Sequence, residues 1–261
     1  MTGTNVYEMA ADLSIAAIQD AISKMAAKLD APVLVKTSAV PHFRYRDPGI
    51  REALVLKTVR MLSALLSLRA LIRAGLSLDA GAIMRILDET GSDIQFLAGP
   101  LIFQSKPEKS HERYLNEFVQ EEFDHPSPLK STQKRDRVSR RDIRAYVART
   151  YNAGSDVSAA VAVAETIEKT FSGFIHGAMC HIMDAYDGIA FRAPMLPTDD
   201  PVEAMADQFS QYVHRALMDT ALAAKALGDE DLFSDLYQLQ IELFNEWGDY
   251  RAAPSRGPSS A

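Results

Sequence analysis

The sequence predicts an all-α fold: a single multi-helix bundle of seven or eight helices with antiparallel neighbours. Three observations carry this. Apolar residues recur at three- and four-residue spacing over most of the 261-residue chain. Proline, glycine and Asx residues fall between those runs, where helices stop and start. Neither an internal repeat nor a series of short, glycine-bounded alternating segments is present, so a solenoid, sandwich or barrel is not indicated.

The elements follow in order. Residues 5–29 form an amphipathic pattern through Ala10, Leu13, Ala17, Ala21 and Met25, and Asp30-Ala31-Pro32 ends it because a residue before proline avoids the helical region. Residues 32–48 lose the periodicity and suit an extended connection, with a short strand at 33–35. Asp47-Pro48 then reads as cap and first helical position of a helix over 49–74, whose stripe includes Leu54, Thr58, Met61, Leu62, Leu65, Leu68 and Ile72. After Gly75, Ser77 or Asp79 caps a helix over 78–98, and so short a connection makes the two antiparallel neighbours. Gly91 inside that helix signals close packing or a bend.

Pro107 opens a polar helix over 107–123, and a second runs from Ser139 to Tyr151. Ser155 or Asp156 caps the longest pattern, 156–187, which reads as one buried helix. Pro194 and Pro197 break the chain before helices from Asp200 or Pro201 to Leu227 and from Asp229 to Tyr250. Residues 1–250 are therefore read as one helical domain, and 251–261 as a disordered tail by composition.

Composition bounds function. A formal charge of -7 and a pI near 5.4 argue against a protein that coats nucleic acid or anionic membrane over its whole surface. Cys180 is the single cysteine, so no intrachain disulfide forms. The amino-terminal residues lack a basic leader, and Glu8, Asp12 and Asp20 interrupt the run too early for a signal peptide. The most apolar stretches carry Arg69, Arg73, Glu165, Glu168 and Lys169, unlike a membrane span. A cytoplasmic protein with no membrane association is expected.

The most unusual segment is Thr170 to His181, where Ser, His and Cys sit within the long helix. A buried polar group without a partner costs roughly 1–3 kcal/mol, so these side chains should meet partners on a neighbouring helix. Arg85 and Glu89, four apart on one face, are the partners expected for Ser172 and His176, also four apart. The plainer reading of Arg85 and Glu89 is a partly exposed intrahelical ion pair. Gly173 and Gly177 would let another helix approach closely. His176, Cys180 and Asp184 continue the line, but four-residue steps on one helix cannot surround a zinc ion, and no CxxC or HExxH accompanies them, so no metal is expected. No strand–turn–helix elbow surrounds Ser172, which speaks against a serine nucleophile. No cofactor is expected either.

Residues 130–149 form a basic segment in which Lys134, Arg135, Arg137, Arg140, Arg141 and Arg144 are candidates for phosphate binding. An acidic run just before it, with Glu112, Glu117, Glu121, Glu122 and Asp124, offers mutual neutralisation instead.

The run LLSLRALIRAGLSLDAGAIMRILDETGSDIQFL, with Arg85-x-x-x-Glu89, together with Phe171-Ser172-Gly173-Phe174-Ile175-His176-Gly177, resembles a bacterial all-helical family, one of the numbered domains of unknown function, over about residues 50–190. The resemblance singles out Arg85, Glu89, Ser172 and His176, and Tyr114 beside them. More distantly the chain resembles the HEPN bundles, many of them dimeric ribonucleases in toxin and antiviral systems, whose signature is an arginine four to six residues before a histidine. Here those positions before His176 hold Phe171, Thr170 and Lys169. Lysine supplies charge without the arginine fork. Two functions follow as expectations. One is a binding or self-association module in a stress or phage-defence setting, with a second copy or another protein as partner. The other is a metal-independent ribonuclease using His176 as acid or base, with Arg85 or Lys169 on phosphate.

Overall fold

The computed structural model describes residues 4–35, 41–121, 123–125, 127–151, 156–196, 198–245 and 247–251. Among them are nine α-helices: α1 (Thr4–Ala26), α2 (Ile50–Arg73), α3 (Ser77–Ile102), α4 (Lys109–Phe118), α5 (Arg140–Tyr151), α6 (Val157–His176), α7 (Met179–Met183), α8 (Asp200–Ala226) and α9 (Glu230–Leu243). The fold is all-α, as the periodicity predicts. A two-stranded antiparallel hairpin, β1 (Val33–Val35) with β2 (His42–Arg44), occupies the extended connection. Its first strand matches the expected one; the second was read only as extended chain. The tail from 252 onward, like Ser155 and Glu122, lies outside the described residues.

α3 is the axis of the bundle: α2, α8, α6 and α5 all pack on it. Met61, Leu65 and Leu68 of α2, Met84, Ile94 and Leu97 of α3, and Val213 and Leu217 of α8 are fully buried along this axis. Each such side chain contributes about 1.5–3 kcal/mol relative to exposure, which is why the apolar stripes choose their neighbours. α1 and α9 close the far side against α8.

Boundaries differ from expectation where capping chemistry decides them. α2 begins after Gly49, whose N–H donates to Glu52 Oε2 at 2.8 Å, so Asp47-Pro48 precedes the helix and does not cap it. Ser77 does not cap α3, because its hydroxyl donates to the Met195 sulfur at 2.9 Å. α4 is shorter than 107–123, and α9 stops at Leu243, well before Tyr250. Asp156 and Asp229 do cap α6 and α9, accepting from Ser158 N–H at 2.8 Å and Leu232 N–H at 3.2 Å.

The largest departure is in 156–187, which is two helices. Gly177 takes the left-handed conformation at φ 63°, and the Ala178 N–H returns to the Gly173 carbonyl at 2.8 Å. Glycine tolerates that backbone and terminates α6. Nor is α6 a buried helix, since none of its residues is fully buried. It lies against α3 and α5 by one face and shows the other to solvent.

Candidate functional site

Arg85, Glu89 and Asp93 follow one another at four-residue spacing, so α3 presents all three on one face. Arg85, only 10% exposed, donates to Glu89 Oε1 at 2.6 Å and to Glu168 Oε1 on α6. The other oxygen of Glu168 takes Arg144 from α5. Asp93, with 2% of its side chain exposed, receives Lys57 Nζ from α2 at 2.7 Å and Arg140 Nη1 from α5 at 2.5 Å. Arg140 Nε also lies 4.0 Å from Glu89 Oε2, joining the two halves. Four cations and three carboxylates thus form one network that ties α2, α3, α5 and α6 together.

Burial alone would lower the pKa of Arg140, but the charge and hydrogen bond of Asp93 outweigh it and hold the guanidinium more firmly protonated than usual. Tyr114 of α4 completes the surroundings. Its buried hydroxyl has no well-formed hydrogen bond, and burial together with the adjacent Asp93 charge pushes its pKa upward. Lys57 lies 5.5 Å from the centre of the Tyr114 ring, a cation–π contact. Desolvating seven charges is costly, and their mutual attraction offsets it only because each is paired. Chemically the network is a lock: every carboxylate is already engaged by cations from other helices or from its own.

The sequence candidates therefore divide. Arg85, Glu89, Tyr114, Arg140 and Arg144 converge, which unites the expected ion pair with two residues of the expected phosphate patch. Ser172 and His176 do not join them. Ser172 is half-buried and His176 exposed, and neither side chain makes a hydrogen bond or ion pair with another described residue. The residue that meets Arg85 from α6 is Glu168, one turn before Ser172. Lys169 is exposed and makes no ion pair among the described residues. Of the remaining basic segment, Arg135 and Arg137 lie 3.4 and 3.3 Å from Glu117, while Arg113 pairs with Asp136 at 2.7 Å. Lys134 and Arg141 are exposed without an ion pair among the described residues. Neutralisation by the preceding acidic run accounts for Arg135 and Arg137, and burial in the network for Arg140 and Arg144.

Gly173 does not receive a second long helix. Its Cα faces His181 of α7, whose ring stands 2.3 Å from where a Cβ would be, and which stacks on Phe174 at 3.9 Å. Among the described residues no group of three or more His, Cys, Asp or Glu is arranged to hold a metal ion, and Cys180 is exposed. A cleft of about 770 Å³ opens elsewhere, between α1, α2 and α8, and is lined by Arg69, Arg73, Phe209 and Tyr250 but by none of the network's residues.

Two further polar groups escaped the sequence reading. His111 is fully buried: its Nδ1 accepts from the Glu108 N–H at 3.1 Å, its Nε2 donates to the Phe96 carbonyl at 3.1 Å, and its ring stacks on Phe96 at 4.0 Å. Burial lowers its pKa and keeps it neutral. On the α8 side of α3, Gln95 donates to Asp219 at 2.9 Å while Arg215 pairs with Asp88 at 2.7 Å. Burial pushes the Asp219 carboxyl up to about 6. Gly91 faces that carboxylate, 2.5 Å from the position of an added Cβ, so it marks the close packing foreseen for it.

No family model matches the chain, and neither the curated proteins nor the solved structures contain a match to it.

Proposed function

We propose that this chain is a non-catalytic helical module that acts in the cytoplasm by association with a second copy or another protein, and that its buried charge network sets the relative placement of α2, α3, α5 and α6. One observation supports the reading above others: the arginine required beside His176 for phosphate chemistry is instead held between Glu89 and Glu168. A general acid or base must come within hydrogen-bond reach of the groups it serves, and His176 stands exposed, without a polar partner among the described residues. What remains of α6 is an outward face with few charges, the kind of surface an association module offers.

The test is incubation of the purified chain with single-stranded RNA in the presence of a chelator. Intact RNA, with His176→Ala and Lys169→Ala indistinguishable from the unaltered protein, is the expected result. Cleavage that His176→Ala abolishes while helicity persists would establish the ribonuclease in its place.

A further inference from the structure

Among the described residues, ten of the 24 large apolar side chains that are exposed fall between Val163 and Leu196, a span of 34 residues. That is a higher density along the chain than elsewhere among the described residues. On α6 the outward face is formed by Ala159, Ala162, Val163, Thr166, Ile167 and Thr170, positions that recur at helical spacing on one side. The two threonines withdraw their hydroxyls from that face as donors, bonding to the carbonyls four residues back at 2.9 and 3.1 Å. On this face Val163 is 61% and Ile167 44% exposed, and just past the carboxyl end of the helix Met179 is 78% exposed.

We propose that this face docks a second copy of the chain, α6 against α6 in antiparallel order about a two-fold axis near Ile167, and this rests on the association reading above. Charge placement selects that occupant. Glu165 and Lys169 border the same edge of the face, and neither has an ion pair among the described residues. In an antiparallel pair like edges meet, so each Glu165 comes opposite the partner copy's Lys169, and the surface is complementary to itself. Val163 then lies against the partner copy's Thr170. Extent agrees: a 20-residue helix is about 30 Å long, enough for one face to pack along a second copy of itself over several turns. A lipid surface is the poorer match, because membrane-lying helices carry rows of Lys and Arg beside their apolar face, whereas Lys169 and His176 are the basic residues exposed along α6.

The experiment is sedimentation velocity of the full chain over a wide concentration range, with helicity followed by circular dichroism. A concentration-dependent dimer is expected. Thr166→Glu places two carboxylates at the centre of the interface and should weaken the dimer on the order of a hundredfold with helicity unchanged. Lys169→Glu should weaken it, and adding Glu165→Lys should restore it, since the exchange rebuilds both cross-copy pairs. In a Cys180→Ser background, Ile167→Cys should form a disulfide-linked dimer on mild oxidation. A dimer indifferent to Thr166→Glu overturns the assignment of this face and leaves the association reading standing. A chain monomeric throughout overturns the proposal, and one that instead binds phosphatidylcholine–phosphatidylserine vesicles through Thr166 assigns the face to lipid. RNA cleavage, by contrast, strikes the non-catalytic reading and is indifferent to the dimer.

Discussion

Arg85 closes on Glu168, one helical turn before Ser172 and two before His176. Because the other oxygen of Glu168 holds Arg144, a single carboxylate joins α3, α5 and α6. Removing it leaves Arg144, 10% exposed, without its partner, while Arg85 keeps Glu89. Glu168→Ala should therefore lower the unfolding free energy on the order of 3 kcal/mol, measured by urea denaturation at neutral pH. Glu168→Leu combined with Arg144→Leu should recover most of that loss, since no charge is then stranded. A single-substitution cost under about 1 kcal/mol would mean that solvent screens the pair as it does at a surface.

How far the sequence revealed the network depends on which side chains had a rule to betray them. Arg85 and Glu89 are conspicuous because opposite charges four apart share a face, and continuing the same step reaches Asp93. Glu168 lies on the line of Ser172 and His176 but was masked by their rarer chemistry; charged side chains on a helix are ordinarily solvated. Lys57 and Arg140 come from helices whose packing partners no local pattern specifies. The turn at Gly177 is written in the glycine itself, yet the apolar periodicity runs through it and suggested one helix where the chain makes two. His111 gave no signal at all, since its two hydrogen bonds run to backbone groups that tertiary packing delivers.

His111 should make stability sensitive to mild acid. Its Nδ1 accepts a hydrogen bond, so protonation would break that bond and charge a buried ring stacked on Phe96. Burial lowers its folded pKa below the unfolded value near 6.5, so the unfolded chain binds more protons in that range. The stability it contributes is present above the unfolded value near pH 6.5 and is lost as pH falls from there through the lowered folded value. His214, also lowered by burial and by neighbouring Arg215, adds a slope of the same sign. Unfolding free energy measured between about pH 7.5 and 5.5 should decline, and the decline should flatten in His111→Gln by up to about 1.4 kcal/mol per pH unit. An unchanged slope in the variant would remove His111 from the account.

Asp219 acts in the opposite sense. Its folded carboxyl, pushed up to about 6 by burial, exceeds the unfolded value near 3.9, so the folded chain holds the extra proton between them. The contribution of Asp219 is therefore present below about pH 4 and is lost as pH rises through 6. Asp219→Asn keeps an acceptor for Gln95 and cannot ionise. Relative to the unaltered protein, its stability should improve by on the order of 2 kcal/mol between about pH 4 and 7, read from denaturation curves at each pH. A constant difference across that window would show that Arg215 keeps the buried carboxylate ionised throughout.

Gly81 offers a test of how tightly α6 is seated. In a helix interior alanine is favoured over glycine by about 1 kcal/mol, so helix propensity alone predicts that Gly81→Ala stabilises. The added Cβ would, however, stand 2.4 Å from Cγ of the Phe174 ring, which His181 backs on its other side at 3.9 Å. With no room to turn, the ring must carry α6 outward, and Glu168 on the same helix would withdraw from Arg85. Gly81→Ala should thus cost on the order of 1–3 kcal/mol in spite of propensity, and Phe174→Leu in the same chain should return part of it. In the double-mutant comparison, Glu168→Ala should cost less in the Gly81→Ala background than in the original, because the ion pair is already loosened. A stabilised Gly81→Ala would show that α6 yields freely, and the network would then not fix its position.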